Sequence, residues 1–192
     1  MLAVQDSKLA HTFLQSHFSN EAPPVSDILF EGTEAGLGAQ ETQLRKLAGS
    51  ASVAEASTST WYAREDLWGI LEPGTTAIAK ISILPADLAG TMEGVERAAQ
   101  LHQLGWRALV YATGIGWVRL EGKPAALKNA LQLLRVEMEN RGGSLVALHR
   151  PDKMAELDAW GDGGDALPLM KAVKQRLDPK NTLNPSRFVG GI

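Results

Sequence analysis

The sequence has no cysteine, which excludes disulfides, iron–sulfur ligation and a thiol nucleophile from this chain. It lacks any apolar run approaching the length of a membrane span, and its opening, MLAVQDSKLAHTF, does not follow the charged-then-apolar plan of a secretion signal. A cytoplasmic location is the resulting expectation. A basic excess is missing as well: 19 Lys and Arg against 22 Asp and Glu give a net charge of −3, so nucleic acid and anionic membranes are poor general partners. There is no Gly-x-Ser-x-Gly elbow, no Walker loop and no dinucleotide fingerprint; Gly36-Leu37-Gly38 lacks the third glycine such a fingerprint needs. The four histidines, His11, His17, His102 and His149, show no metal-ligand spacing, so no metal is expected. His11 and His17 fall on an expected surface helix, whereas His149, at a strand end beside Arg150, is the best placed to lie near a site.

What is present is ordinary globular material: 192 residues, 44% hydrophobic and 21% charged, enough for one domain with a sizeable core. The clearest stretch runs over residues 73–150. Thr75 to Leu84 alternates like a strand, and Pro85 and Asp87 introduce a helix with Leu88, Met92, Val95 and Ala99 on one face and Gly105 as its C-cap. Arg107 to Thr113 and Trp117 to Glu121 form a hairpin across Gly114-Ile115-Gly116. A second helix starts at Pro124, with Leu127, Ala130, Leu131, Leu134 and Met138 on one stripe and Gly142-Gly143 as its stop; Ser144 to His149 is the last strand. The order βαββαβ predicts an α+β, ferredoxin-like antiparallel sheet with helices on one face.

Residues 1–72 repeat this more weakly. The pattern predicts a helix over Leu9 to Phe18, a strand over Val25 to Phe30, a helix over Ala35 to Leu47 with Leu37, Leu44 and Leu47 inward, a strand over Ser52 to Ala56, and a short helix over Trp61 to Ile70 before the turn Glu72-Pro73-Gly74. No linker separates the halves, so both are expected to share one sheet. Residues 151–192 differ in character. A loop around Asp158-Ala159-Trp160-Gly161 and Gly163-Gly164 precedes a helix capped by Asp165, with Met170, Val173 and Leu177 inward, and a turn-rich tail follows.

Strand alternation sorts the sheet into two faces. One carries Ala79, Ile81, Ala108, Val110, Val118 and Leu120; the other carries Ile78, Lys80, Leu109, Tyr111, Trp117, Arg119 and Glu121. The second mixes aromatics with cations. It is either the solvated face of an open sheet or a surface that covers a flat or anionic ligand, and Tyr111 and Trp117 are large for plain solvation. On the second reading, Arg119 and Lys80 would take a carboxylate, with Tyr111 and Trp117 lining the site. Trp160 is either a packing anchor or a ligand contact.

The tail then becomes informative. LDAWGDGGDALPLMKAVKQRLDPKNTLNPSRFVGGI resembles the C-terminal ending of FAD-linked oxidases of the vanillyl-alcohol oxidase type, and within them is most similar to the FAD-binding subunit of glycolate oxidase. Asp178, Pro179, Asn184, Pro185 and Arg187 match the motif; Ser186 stands where the family usually has glycine, and Asn181-Thr182 where glycine and isoleucine are common. The resemblance implies that residues 1–192 form the cap or substrate domain, and that the family's N-terminal FAD-binding domain, which holds the FAD, lies outside this sequence. It also implies oxidation of a small 2-hydroxy acid such as glycolate to the 2-oxo acid, hydride passing to the flavin. Expected partners are that FAD-binding domain and the other glycolate oxidase subunits, an iron–sulfur subunit included. Asn184 and Arg187 are assigned to flavin-domain docking near the cofactor, and the fragment alone is expected to be inactive. The alternative is a non-catalytic ferredoxin-like module that binds a small anion or a subunit. An RNA-binding sheet is disfavoured by the acidity of the chain.

Overall fold

The computed structural model describes residues 13–72 and 74–192. Its sheet contains six strands among the described residues, β1 (Phe13–Ser19), β2 (Val25–Leu29), β3 (Thr76–Ser82), β4 (Gly105–Tyr111), β5 (Ile115–Glu121) and β6 (Ser144–His149), in the order β2-β1-β4-β5-β3-β6. Every neighbouring pair is antiparallel. The helices are α1 (Glu34–Ala48), α2 (Ala63–Trp68), α3 (Leu88–His102), α4 (Pro124–Glu139) and α5 (Leu167–Leu177). The run β3-α3-β4-β5-α4-β6 is the ferredoxin-like unit expected from residues 73–150. The β1–β2 hairpin extends the same sheet through the β1–β4 pairing, so the two halves do share it.

The core follows from periodicity. Ala77, Ala79, Ile81, Ala108, Val110, Val118 and Leu120 point to one face of the sheet. They meet Leu88, Met92, Val95 and Ala99 of α3 and Leu127, Ala130, Leu131, Leu134 and Met138 of α4, all buried as the helical stripes predict. Removing a large member such as Leu131 would cost about 2–5 kcal/mol, because a packed interior relaxes only partly around a cavity. The β4–β5 turn is built on Gly114, whose φ of +81° suits glycine; a Cβ there would lie 2.0 Å from the Ile83 carbonyl oxygen.

Several expectations fail at the edges. The segment expected as a helix over Leu9 to Phe18 is strand β1 where it is described, because Leu14, Ser16 and Phe18 alternate with Phe13, Gln15 and His17, a period of two. Its first residues and His11 lie outside the described residues, as does Pro73 of the expected turn. Ser52 to Ala56 pairs with no strand. The helix ended by Gly105 is ended instead by Gln103, which takes the left-handed conformation at φ 54°, and Gly105 opens β4. No residue of α1 is buried: Leu37 is exposed, and Leu44 and Leu47 are half-buried. The same holds for α5, where Val173 and Leu177 are exposed and Asp165 sits in a 3₁₀ lead-in without capping the helix.

Candidate functional site

Alternation sorted the two sheet faces correctly, but the aromatic one is not open. Residues 58–71 cross it as a roof made of a 3₁₀ turn (Thr58–Tyr62) and α2. Leu67 packs on Ile78, Leu109 and Trp117, with Ala63, Trp68, Leu71 and Tyr111 around them as a second, smaller core. An aromatic row runs from the roof across the strands beneath: Trp61 of the 3₁₀ turn to Phe13 at 5.8 Å, Phe13 to Tyr111 at 5.1 Å and Tyr111 to Trp117 at 5.2 Å, all edge to face. The Arg64 guanidinium lies over the Trp117 ring, 4.8 Å from its centroid. Burial pushes the Tyr111 phenol above its ordinary pKa, the Arg64 charge opposing.

The four residues expected to line a substrate site are therefore placed differently. Tyr111 and Trp117 touch edge to face under the roof. Lys80 is exposed on β3, directly across from Trp117 in register. Arg119 is only 4% exposed and turned into the roof. Its Nη1 donates to the Leu67 carbonyl at 3.1 Å, its Nη2 to the Ile70 carbonyl at 2.9 Å, and its Nε to Glu121 Oε1 at 2.7 Å. It clasps the C-terminal end of α2 to the sheet, where unpaired helix carbonyls favour a cation.

Beside the roof is a cleft of about 220 Å³, bounded by Pro23 of the β1–β2 turn and Val25 at the start of β2, by Ala63 and Leu67 of α2, and by His17, Ser19 and Arg107 of the sheet. The sequence reading missed His17 and Arg107, the former because β1 was taken for a helix. Arg107 is half-exposed, with one ion pair among the described residues, 3.6 Å to Glu121 Oε1. That oxygen already accepts from Arg119. On the other side, His17 Nε2 lies 2.5 Å from Asp27 Oδ2. Gln15, buried, donates its amide to the same oxygen at 3.1 Å and to the Thr60 carbonyl at 2.9 Å, tying the pair to the roof. Among the described residues no cluster of three metal-ligating side chains occurs, and no helix is long and apolar enough to cross a membrane.

The tail is ordered by one carboxylate. Buried Asp178 accepts from Lys174 Nζ at 2.6 Å, from the Thr182 amide at 2.9 Å and hydroxyl at 3.0 Å, and from the Leu183 amide at 2.9 Å. The Lys174 ammonium and the two amides hold its carboxyl well below the usual carboxylate range. Lys174 also donates to the Leu183 carbonyl at 2.6 Å. Further along, Trp160 settles its two readings toward anchoring: its Nε1 donates to the Arg187 carbonyl at 3.2 Å and its ring meets Phe188 edge to face at 4.6 Å. Asn184 and Arg187 are exposed, and the Arg187 amide donates to the Asn184 carbonyl at 3.2 Å.

Three non-glycine residues of the tail lie in the left-handed region: Asn181 at φ 49°, Asn184 at 47° and Ser186 at 61°. At Asn181 and Ser186 the backbone takes a conformation that favours glycine. Asparagine accepts it at little cost, and serine at more.

A comparison with curated proteins finds no match to the chain. Residues 152–188, from the start of the Trp160 loop region through the Asp178 hub to Phe188, match the family of FAD linked oxidases, C-terminal domain.

Proposed function

We propose that this chain is the cap module of an FAD-dependent oxidoreductase, which oxidises a 2-hydroxy acid such as glycolate together with a companion FAD-binding domain. The observation that carries the reading is the tail: the segment that matches the oxidase family is held in a defined path by Asp178, Trp160 and three left-handed residues. The cleft of about 220 Å³ is smaller than the roughly 300–1,000 Å³ of ordinary small-molecule pockets, and a flavin dinucleotide is larger than most such ligands. The chain accordingly supplies a covering surface, and the companion domain holds the cofactor.

In this reading Asn184 and Arg187 dock the tail. Exposed Leu169, Val173, Leu177 and Leu183 give the neighbouring surface the apolar character of an interface. Tyr111 and Trp117 lie under the α2 roof with Lys80 across from Trp117, and all three, like Arg119, would serve the site by supporting that roof. A subunit-binding module without chemistry is favoured by one observation, the closure of the sheet face by residues 58–71. Co-purification with the companion domain separates the two readings. A flavin absorption spectrum in the complex, reduced when residues 184–192 are deleted, is the expected outcome. Full flavin retention after that deletion would make the tail passive, and a companion that carries no flavin would overturn the oxidoreductase reading.

A further inference from the structure

We propose that the cleft between α2 and the β1–β2 turn binds a small organic carboxylate, with Arg107 taking the carboxylate and His17 a second polar group of the same molecule. Arg107 has the chemistry and the freedom for this. Its planar guanidinium offers paired donors matched to a carboxylate. Its ion pair with Glu121 is long, at 3.6 Å, and half-exposed, so it contributes little and gives way easily. Glu121 is in any case committed to Arg119 at 2.7 Å, which leaves two cross-strand arginines, Arg107 and Arg119, facing one carboxylate. Arg119 turns its other donors to the Leu67 and Ile70 carbonyls, so Arg107 is the arginine that lines the cleft.

His17 gives the site its second pole. A carboxylate can only accept, so the contact with Asp27 places a hydrogen on His17 Nε2 and leaves Nδ1 for a further partner. Gln15 holds Asp27 in turn, so the imidazole is oriented by a network instead of a lone contact. The register pairs His17 with Leu109 and Ser19 with Arg107, making His17 and Arg107 diagonal neighbours on one sheet face. That spacing is about 7–8 Å between backbones, a span that a molecule of a few heavy atoms bridges. The walls between are largely apolar, Pro23, Val25, Ala63 and Leu67, with Ser19 opposite Arg107 in register, and admit a short carbon chain. A short acid with a hydroxyl or oxo group near its carboxylate meets all these demands.

The choice of a hydroxy acid deepens the oxidoreductase reading and rests on it, whereas binding itself is read on the chain alone, without flavin. The chain, labelled with ¹⁵N, is titrated with sodium glycolate, sodium acetate and the uncharged glycolamide, and amide shifts are followed. Shifts centred on His17, Ala63, Arg107 and Leu109 are expected, with glycolate tighter than acetate and glycolamide without effect. Arg107→Gln should weaken glycolate at least tenfold, with Arg107→Lys in between, while His17→Gln should bring glycolate down to the level of acetate. The dispersed spectrum of each variant shows that it is folded. No binding by the wild type, equal binding of glycolamide, or an unchanged glycolate affinity in Arg107→Gln would each overturn the proposal. A chain that binds glycolate while its companion carries no flavin would retain the site and lose the oxidoreductase reading.

Discussion

Arg119→Met removes the guanidinium but keeps most of the apolar stem, so it isolates what the three hydrogen bonds do. The bond to Glu121 matters least, because that side chain is 44% exposed and water replaces its partner. The Ile70 carbonyl is partly open to water as well. The Leu67 carbonyl is not: its bond to Arg119 is buried, and losing it strands an acceptor under the roof. A hydrogen bond from a charged donor contributes about 1.5–3 kcal/mol, and taking one in full and a fraction of a second gives about 2–4 kcal/mol. What else holds α2 down is one buried residue, Leu67, with partly buried Ala63 and Trp68 and the Arg64–Trp117 contact. The loss should therefore appear as local opening of residues 58–72 before global unfolding.

At 1.4 kcal/mol per tenfold change, amide exchange in α2 should accelerate by about 30- to 700-fold, while exchange in α4 stays near wild type. Hydrogen exchange read by mass spectrometry over peptides from both segments makes the comparison internal to one sample. Arg119→Lys should fall between, because a single ammonium cannot reach the Leu67 and Ile70 carbonyls and Glu121 together. Exchange in residues 63–68 that stays within threefold of wild type in the methionine variant would refute the clasp. Arg119 would then be free to act as the carboxylate ligand that strand alternation alone suggests.

Two further predictions concern the tail. Ser186→Gly removes a side chain from a left-handed position at φ 61°, relieving about 1–2 kcal/mol of backbone strain against about 0.5–1 kcal/mol of added chain entropy. Protection of the Phe188 amide, which donates to the Ile192 carbonyl at 3.0 Å, should rise slightly; a fall would show that the serine hydroxyl contributes more than its backbone costs. Asp178 gives a pH dependence of known sign. Its folded pKa is depressed below the unfolded value of about 3.9, so its contribution is complete above about pH 5 and fades as the pH drops through and below 4. The Trp160 indole N–H resonance, bonded to the Arg187 carbonyl, should lose its shift over that range in the wild type. In Asp178→Asn it should be displaced already at pH 7 and respond little to acid, and a wild-type resonance in that variant would contradict the hub.

The parts legible in the sequence were those fixed by local periodicity. The five apolar residues of α4 named from spacing are all buried, and β3, β4, β5 and β6 fall where alternation put them. Strand β1 was missed because HTFLQSHF was read at the helical period, although its alternation was present in the same letters. The roof was illegible for a different reason. Its short helix could be read, but that it crosses the aromatic face depends on Arg119 meeting carbonyls 49 and 52 residues away, which no local pattern encodes. The cleft inherits both failures, since it needs β1 as a strand and residues 58–71 as a roof. In the tail, the Asp, Asn and Pro residues announce turns by their own backbone preferences, so rigidity was readable while the partners of Asp178 were not.

Arg119 and Arg135 solve one problem on opposite sides of the sheet. Each is buried, and each makes at least two of its hydrogen bonds to main-chain carbonyls. Arg135, on α4, donates from Nε to the Leu145 carbonyl at 3.2 Å and from Nη2 to the carbonyls of Asp158 at 2.8 Å and Ala159 at 3.2 Å. The Asp158 carboxylate then accepts the amides of Trp160 and Gly161, and Trp160 holds the backbone at Arg187. A continuous chain of polar contacts thus runs from a core helix to the exposed tail, and a shorter one from β5 to the roof. A surface that orders itself only on meeting its partner loses part of the interaction free energy to that ordering. Here the ordering is done in advance by the folded core, so residues 184–188 present a surface whose conformation folding has already fixed, as the proposed docking role requires.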